Sequence, residues 1–104
     1  DAWRPAPAEY GTVVVTNYLW RPLLPTLVDA VAPGGRLLYE TFARGNERFG
    51  KPSNPDFLLE PNELLRATTG QLNVVAFEEV KTDTPRPAII QRIFAVRDQA
   101  NAVT

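Results

Sequence analysis

The chain has 104 residues, 44% of them hydrophobic and 22% charged, with 11 basic against 12 acidic side chains. That is one domain with room for a single core, and a net charge of -1 offers no electrostatic footprint for nucleic acid or an anionic membrane. With no cysteine and no histidine, disulfides, thiolate nucleophiles, zinc-thiolate centres and hydrolase triads are excluded within the chain, and no metal is expected.

The apolar runs are a few residues long, far short of the roughly 20 that a membrane span needs, and no basic-then-apolar leader opens the sequence. A cytoplasmic protein is expected. The first residue is Asp1 and not Met, which leaves open a processed chain or a piece of something longer.

Residues 1–11, DAWRPAPAEYG, hold two prolines and a final glycine and read as a connecting loop. TVVVTNYL, residues 12–19, follows; its Val13-Val14-Val15 run is β-branched and continuously apolar, as in a parallel strand covered on both faces. In RPLLPTLVDAVAPGG the residues Leu23, Leu24, Leu27, Val28 and Val31 share one helical face and Asp29 lies off it. Pro22 and Pro25 suit the first turn, and Pro33-Gly34-Gly35 is expected to stop the helix. RLLYETF is then a second strand, giving a right-handed βαβ unit.

Residues 43–60 form a long polar connection, and EPNELLRATTG a short helix between Pro61 and Gly70. LNVVAFEEV and AIIQRIFAVR, separated by KTDTPRP, predict a closing antiparallel hairpin. The fold class is therefore α/β, a Rossmann-like half sheet of two parallel strands with a crossover helix plus the hairpin. Residues 12–97 hold the elements and 98–104 a tail.

Ligands of open parallel sheets bind beyond the carboxyl ends of the strands, which selects two segments. In TNYLWR, Asn17 offers amide donors and an acceptor, Tyr18 and Trp20 flat rings and Arg21 a forked cation. Trp20 and Arg21 read as packing groups; Asn17 and Tyr18 suit either a pocket or a helix entry. In ETFARGNERFG, Glu40 is either a base or amine-binding carboxylate beside Tyr39 and Phe42, or a solvated charge. Arg44, Glu47, Arg48 and Lys51 suit a solvent face, and Asn46 with Gly45 and Gly50 a set of tight turns. NPDF, residues 54–57, differs in position and at Asp56 from the Asn-Pro-Pro-aromatic motif of amino-group methyltransferases and predicts a turn ending in a buried Phe57. The segment GGRL leaves a helix and enters a strand, the reverse of a phosphate-binding loop.

VVVTNYL, the amphipathic helix, VAPGGRLLYETF, the long loop, the helix and the hairpin together resemble the C-terminal half of a class I S-adenosylmethionine-dependent methyltransferase, from its fourth strand onward. NYL and YETF are similar to small bacterial members of the tellurite-resistance-like type. The resemblance covers residues 10–97 and implies S-adenosyl-L-methionine as the cofactor of the complete protein and a small-molecule acceptor. Methyl transfer from a sulfonium needs placement and desolvation more than a histidine or thiol. The resemblance places Asn17, Tyr18 and Leu19 at the cofactor's methionine end, and Asp1 with Ala2 at its adenine edge. It places Glu40, Thr41 and Phe42 on the substrate wall, and Arg44 and Asn46 in the loop that follows are expected to bind substrate with Glu40 and Phe42.

The family's glycine loop and ribose-binding acid precede this stretch and are not in the chain. Two expectations stand: a fragment of an active methyltransferase, or a catalytically inactive half-domain that binds a partner or itself. In the family the fourth strand lies beside the first, so residues 12–19 are expected to carry an open edge, used by a homo-oligomer or by a missing N-terminal half.

Overall fold

The valine run forms β1 (Tyr10–Thr16) in the computed structural model, which describes residues 9–99. It is followed by a 3-10 turn (Arg21–Leu23), α1 (Leu24–Asp29), β2 (Val31–Phe42), α2 (Glu63–Thr68), β3 (Asn73–Thr82) and β4 (Ala88–Val96). The strand order is β1-β2-β4-β3, with β1 parallel to β2 and the other pairs antiparallel. The half sheet with a crossover helix and a hairpin is thus the observed architecture. The hairpin is turned so that β4 lies inside and β3 outside. β4 is apolar on both sides, with Ile89, Ile93 and Ala95 alternating with Ile90 and Phe94, whereas β3 carries Glu78, Glu79 and Lys81, which suit an edge.

Every member of the predicted helical face is buried: Leu23, Leu24, Leu27, Val28 and Val31 join Val13, Leu37, Ile93 and Ala95 in one core, while Asp29 is exposed. The helix is shorter than its sequence suggests, because Pro33-Gly34-Gly35 does not end it. α1 already stops at Ala30, whose carbonyl accepts the Tyr10 N–H at 2.9 Å. The glycines lie inside β2, where the register with β1 jumps from Tyr10–Val31 to Thr12–Arg36. Gly34 has φ 78°, and a Cβ on Gly35 would sit 2.8 Å from the Gly11 oxygen, so both positions require glycine.

Three further expectations are corrected. β1 ends at Thr16 and not at residue 19, since Asn17 turns the chain at φ 55°, a left-handed value that asparagine tolerates. Its valines are covered on one side only: Val13 is 6% exposed and Val14 63%. The turn at NPDF exists, with the Asn54 side chain accepting the Asp56 N–H at 2.9 Å, but Phe57 is exposed and the buried residues are the next two, Leu58 and Leu59. Among the described residues, α1 and α2 pack on the Val13 side of the sheet, and no α-helix lies on the Val14 side.

Arg21 has the packing role expected of it. Its guanidinium makes a bidentate bridge to Glu63 at 2.8 and 2.9 Å and donates to the Leu58 carbonyl at 2.6 Å, tying the entry of α1 to the first turn of α2. Burial opposes the Glu63 charge, yet the bonds from Arg21 and from the Glu60 N–H hold its carboxyl below the usual range.

Candidate functional site

Parallel pairing brings the carboxyl ends of β1 and β2 side by side, with Thr16 opposite Glu40. The chain leaving β1 is then held by two bonds. The Asn17 N–H donates to the Glu40 carbonyl at 2.9 Å, and the buried Tyr39 hydroxyl donates to the Tyr18 carbonyl at 2.6 Å. Burial, reinforced by the nearby Tyr18 and Glu63, pushes the Tyr39 phenol well above its usual range, so it stays a neutral donor. The result is a left-handed asparagine held in place at a strand end by two hydrogen bonds.

The side chains of Asn17 and Tyr18 are exposed at this corner, while Leu19 is buried in the core. The pocket alternative for Asn17 and Tyr18 therefore has free groups to work with, and Leu19 contributes packing. Trp20 is half-buried against the same core. Asp1 lies outside the described residues.

Glu40 points to the open face, where Arg92 bonds it at 3.1 Å and Glu78 at 2.5 Å. Its charge is therefore already met by a guanidinium, which suits recognition better than proton transfer. Phe42 follows on the same face, half-buried. Val14, Thr16, Leu38, Glu40, Arg92 and Phe94 line a shallow groove of about 460 Å³ that runs up to this corner.

Thr41, Arg44 and Asn46 are not brought to that corner. Thr41 points into the buried face. Arg44 pairs with Glu60 at 2.7 Å in solvent. Asn46 is 2% exposed, and its amide is spent on the loop, donating to the Pro52 carbonyl at 3.0 Å and accepting the Ile89 N–H at 3.1 Å. The asparagine that suggests a tight turn is thus a buried pin between the long loop and β4.

Two groups escape a reading of the sequence. Tyr39 looks like one more apolar strand residue, and only the register reveals that its hydroxyl meets the turn after β1. Arg92 becomes a partner of Glu40 only because β4 pairs with β2. A polar pair in the middle of AIIQRIFAVR was the available signal.

No protein-family profile matches the chain, and no curated protein matches its sequence. Solved structures do. TehB from Haemophilus influenzae superposes with a TM-score of 0.67 at 15% identity over 86% of this chain and 36% of that one. A SAM-dependent methyltransferase from Methanosarcina mazei gives 0.63 at 11% identity over 95% and 64%. A structure concerned with conversion of a disulfide bond into a thioacetal group during echinomycin biosynthesis gives 0.60 at 10% identity over 98% and 53%. The chain therefore spans between 36% and 64% of the length of these proteins. Among the described residues no helix is long and apolar enough to cross a membrane. At these identities the likeness is one of fold: the mixed α/β sheet of this chain is similar to part of the fold of S-adenosylmethionine-dependent methyltransferases.

Proposed function

We propose that this chain is the C-terminal, substrate-side part of an S-adenosylmethionine-dependent methyltransferase that acts on a small molecule. The cofactor's glycine loop and ribose-binding acid come from outside it, as another segment of a longer polypeptide or a separate subunit, pairing along the free edge of β1. The observation that carries the reading is the strand-end corner, where a pinned backbone presents Asn17 and Tyr18 beside Glu40. These residues fit one end of the cofactor. Asn17 supplies amide hydrogen bonds to its methionine end and Tyr18 a flat ring. The cofactor, when bound, supplies an electrophilic methyl on a sulfonium. The chain's own task is to orient the acceptor and exclude water, which requires neither imidazole nor thiol. Glu40 and Phe42 form the acceptor's wall, Glu40 suiting a cationic or hydrogen-bond-donating group.

S-Adenosylmethionine titrated into the 104-residue chain alone is expected to give no measurable binding. A few contacts at one end of the ligand cannot offset an association cost of at least about 4 kcal/mol. A micromolar constant from calorimetry would overturn the divided site. In a polypeptide carrying both halves, Asn17→Ala is expected to lower cofactor affinity or kcat/KM by about tenfold or more, the scale of one lost hydrogen bond in a closed site. Arg48→Ala removes an exposed charge whose contacts, a bond to the Gly45 carbonyl at 3.2 Å and the face of Phe49, stay within its own loop, so its effect should stay below about twofold. Equal effects of the two substitutions would place the site elsewhere.

A second reading, a non-catalytic half-domain that binds a partner, is favoured by the exposed apolar side chains Val14 and Leu38. The mass of the native gene product separates the two, about twice this length favouring the enzyme.

A further inference from the structure

Tyr39 precedes Glu40 and faces the opposite side of β2, where it is 3% exposed and packed in the core. A phenylalanine would fill that position equally well, so the hydroxyl calls for a reason of its own. A buried tyrosine O–H finds a hydrogen-bond partner, and here the partner is the carbonyl of Tyr18, 2.6 Å away and 21 residues earlier in the chain. Tyr18 is 45% exposed. Water reaches that residue and can replace the hydroxyl, so the bond adds little to stability.

Its effect on the turn after β1 is larger. β1 ends at Thr16, and Leu19 is anchored in the core. Among the described residues, the turn between them is tied to the rest of the fold by two bonds, from the Asn17 N–H to the Glu40 carbonyl and from the Tyr39 hydroxyl to the Tyr18 carbonyl. The φ and ψ angles of Asn17 and Tyr18 lie between these two anchors. The first bond only continues the pairing of β1 with β2, whereas the second limits how the chain leaves the sheet. The donor cannot turn aside, because its ring is enclosed by the close-packed core.

We infer that Tyr39 is a positioning residue for this corner, its hydroxyl fixing the left-handed turn so that the Asn17 amide is presented to the amino-acid end of S-adenosylmethionine. This role rests on the methyltransferase reading and adds to it a group that touches no ligand. The left-handed conformation of Asn17 is one that asparagine tolerates without preferring it. A turn freed of the hydroxyl therefore visits other conformations, and each visit takes the amide out of place. The loss falls on binding at one end of the cofactor and hardly on folding. A hydroxyl that serves the core alone would do the reverse, lowering stability and sparing the distinction between ligands.

Tyr39→Phe in a polypeptide carrying both halves tests the inference. By calorimetry its affinity for S-adenosylmethionine should fall about fivefold or more, the scale of one hydrogen bond. Affinity for methylthioadenosine, which keeps the nucleoside and the sulfur but has no amino-acid tail, should stay within about twofold, the range of an inconsequential change. In an Asn17→Ala background the same substitution should alter S-adenosylmethionine affinity by less than about twofold, because both changes act through one group. The thermal midpoint should drop by no more than about 4 °C. Hydrogen exchange followed by NMR reads the turn without ligand: the Asn17 amide should exchange about fivefold faster or more, with the amides of β2 and β4 unchanged. Unchanged exchange, equal losses for the two ligands, or additivity with Asn17→Ala overturns the inference and leaves the methyltransferase reading in place. So does a variant that melts far lower or fails to fold, since the hydroxyl then serves stability. A parent polypeptide with no affinity for S-adenosylmethionine overturns both.

Discussion

Gln91→Leu is expected to lower the stability of the chain by about 2–3 kcal/mol, and its thermal midpoint by roughly 10 °C or more for a domain of this size. Gln91 is fully buried in β4. Its amide oxygen accepts the Leu64 N–H at 3.1 Å, and its amide nitrogen donates to the Glu60 carbonyl at 2.6 Å and to Glu79 at 3.0 Å. The first bond satisfies a donor in the opening turn of α2, which no residue of the helix itself can reach. The Asn62 side chain at the N-cap makes no capping bond, so the sheet supplies the cap from below. Leucine fills nearly the same volume and removes no apolar contact, so its cost isolates the unmet Leu64 N–H and the charge-assisted and carbonyl bonds of the lost amide, the Glu60 carbonyl keeping the Glu63 N–H at 3.0 Å. Gln91→Glu keeps the shape but cannot donate to the Glu60 carbonyl and sets a second carboxylate against Glu79. It should therefore be at least as harmful at neutral pH. Urea denaturation with an unchanged slope checks both. A leucine variant within about 0.5 kcal/mol of the parent, the ordinary range for an inconsequential substitution, would show that the amide is dispensable.

Arg97→Ala is expected to cost a similar amount, about 2–4 kcal/mol, because two short charge-assisted bonds are lost from partly buried carbonyls. The Arg97 guanidinium donates from Nε to the Val31 carbonyl and from Nη2 to the Val28 carbonyl, each at 2.7 Å, and more weakly to Gln71 at 3.3 Å. Val28 lies in the last turn of α1, where carbonyls have no partner within the helix. A cation there also suits the negative end of the helix dipole, although six residues make that a small effect. Arg97 thus ties the end of α1 and the start of β2 to the end of β4. Lysine restores the charge but not the fork, so Arg97→Lys should recover less than half of the loss. Recovery to within experimental error by lysine would mean that charge alone, and not the two-carbonyl geometry, holds this corner.

The sequence alone determined the order of elements, the α/β class and the buried stripe of α1, because each depends on a local pattern. Leu23, Leu24, Leu27 and Val28 recur at the helical period, and two apolar runs flank a proline-containing turn before and after KTDTPRP. The likeness to methyltransferases was legible for the same reason, since it rests on that order, and the exposure of Asn17 and Tyr18 follows from their place after a strand.

Strand pairing in space decided the rest. Which neighbour β4 takes sets the Glu40–Arg92 contact and the cap from Gln91, and neither partner is within 25 residues of the other along the chain. Asn46 carries the same amide whether it faces a ligand or the Ile89 N–H; only the path of the loop over β4 distinguishes the two. Pro33-Gly34-Gly35 has the composition of a helix stop, yet hydrogen bonds between its backbone and Arg97, the residue after β4, draw it into the sheet. The valine run, finally, reads as covered on both faces because composition reports that a strand is apolar, not which of its faces another element reaches. Among the described residues α1 and α2 each return to the Val13 face of the sheet, and that placement leaves Val14 and Leu38 exposed.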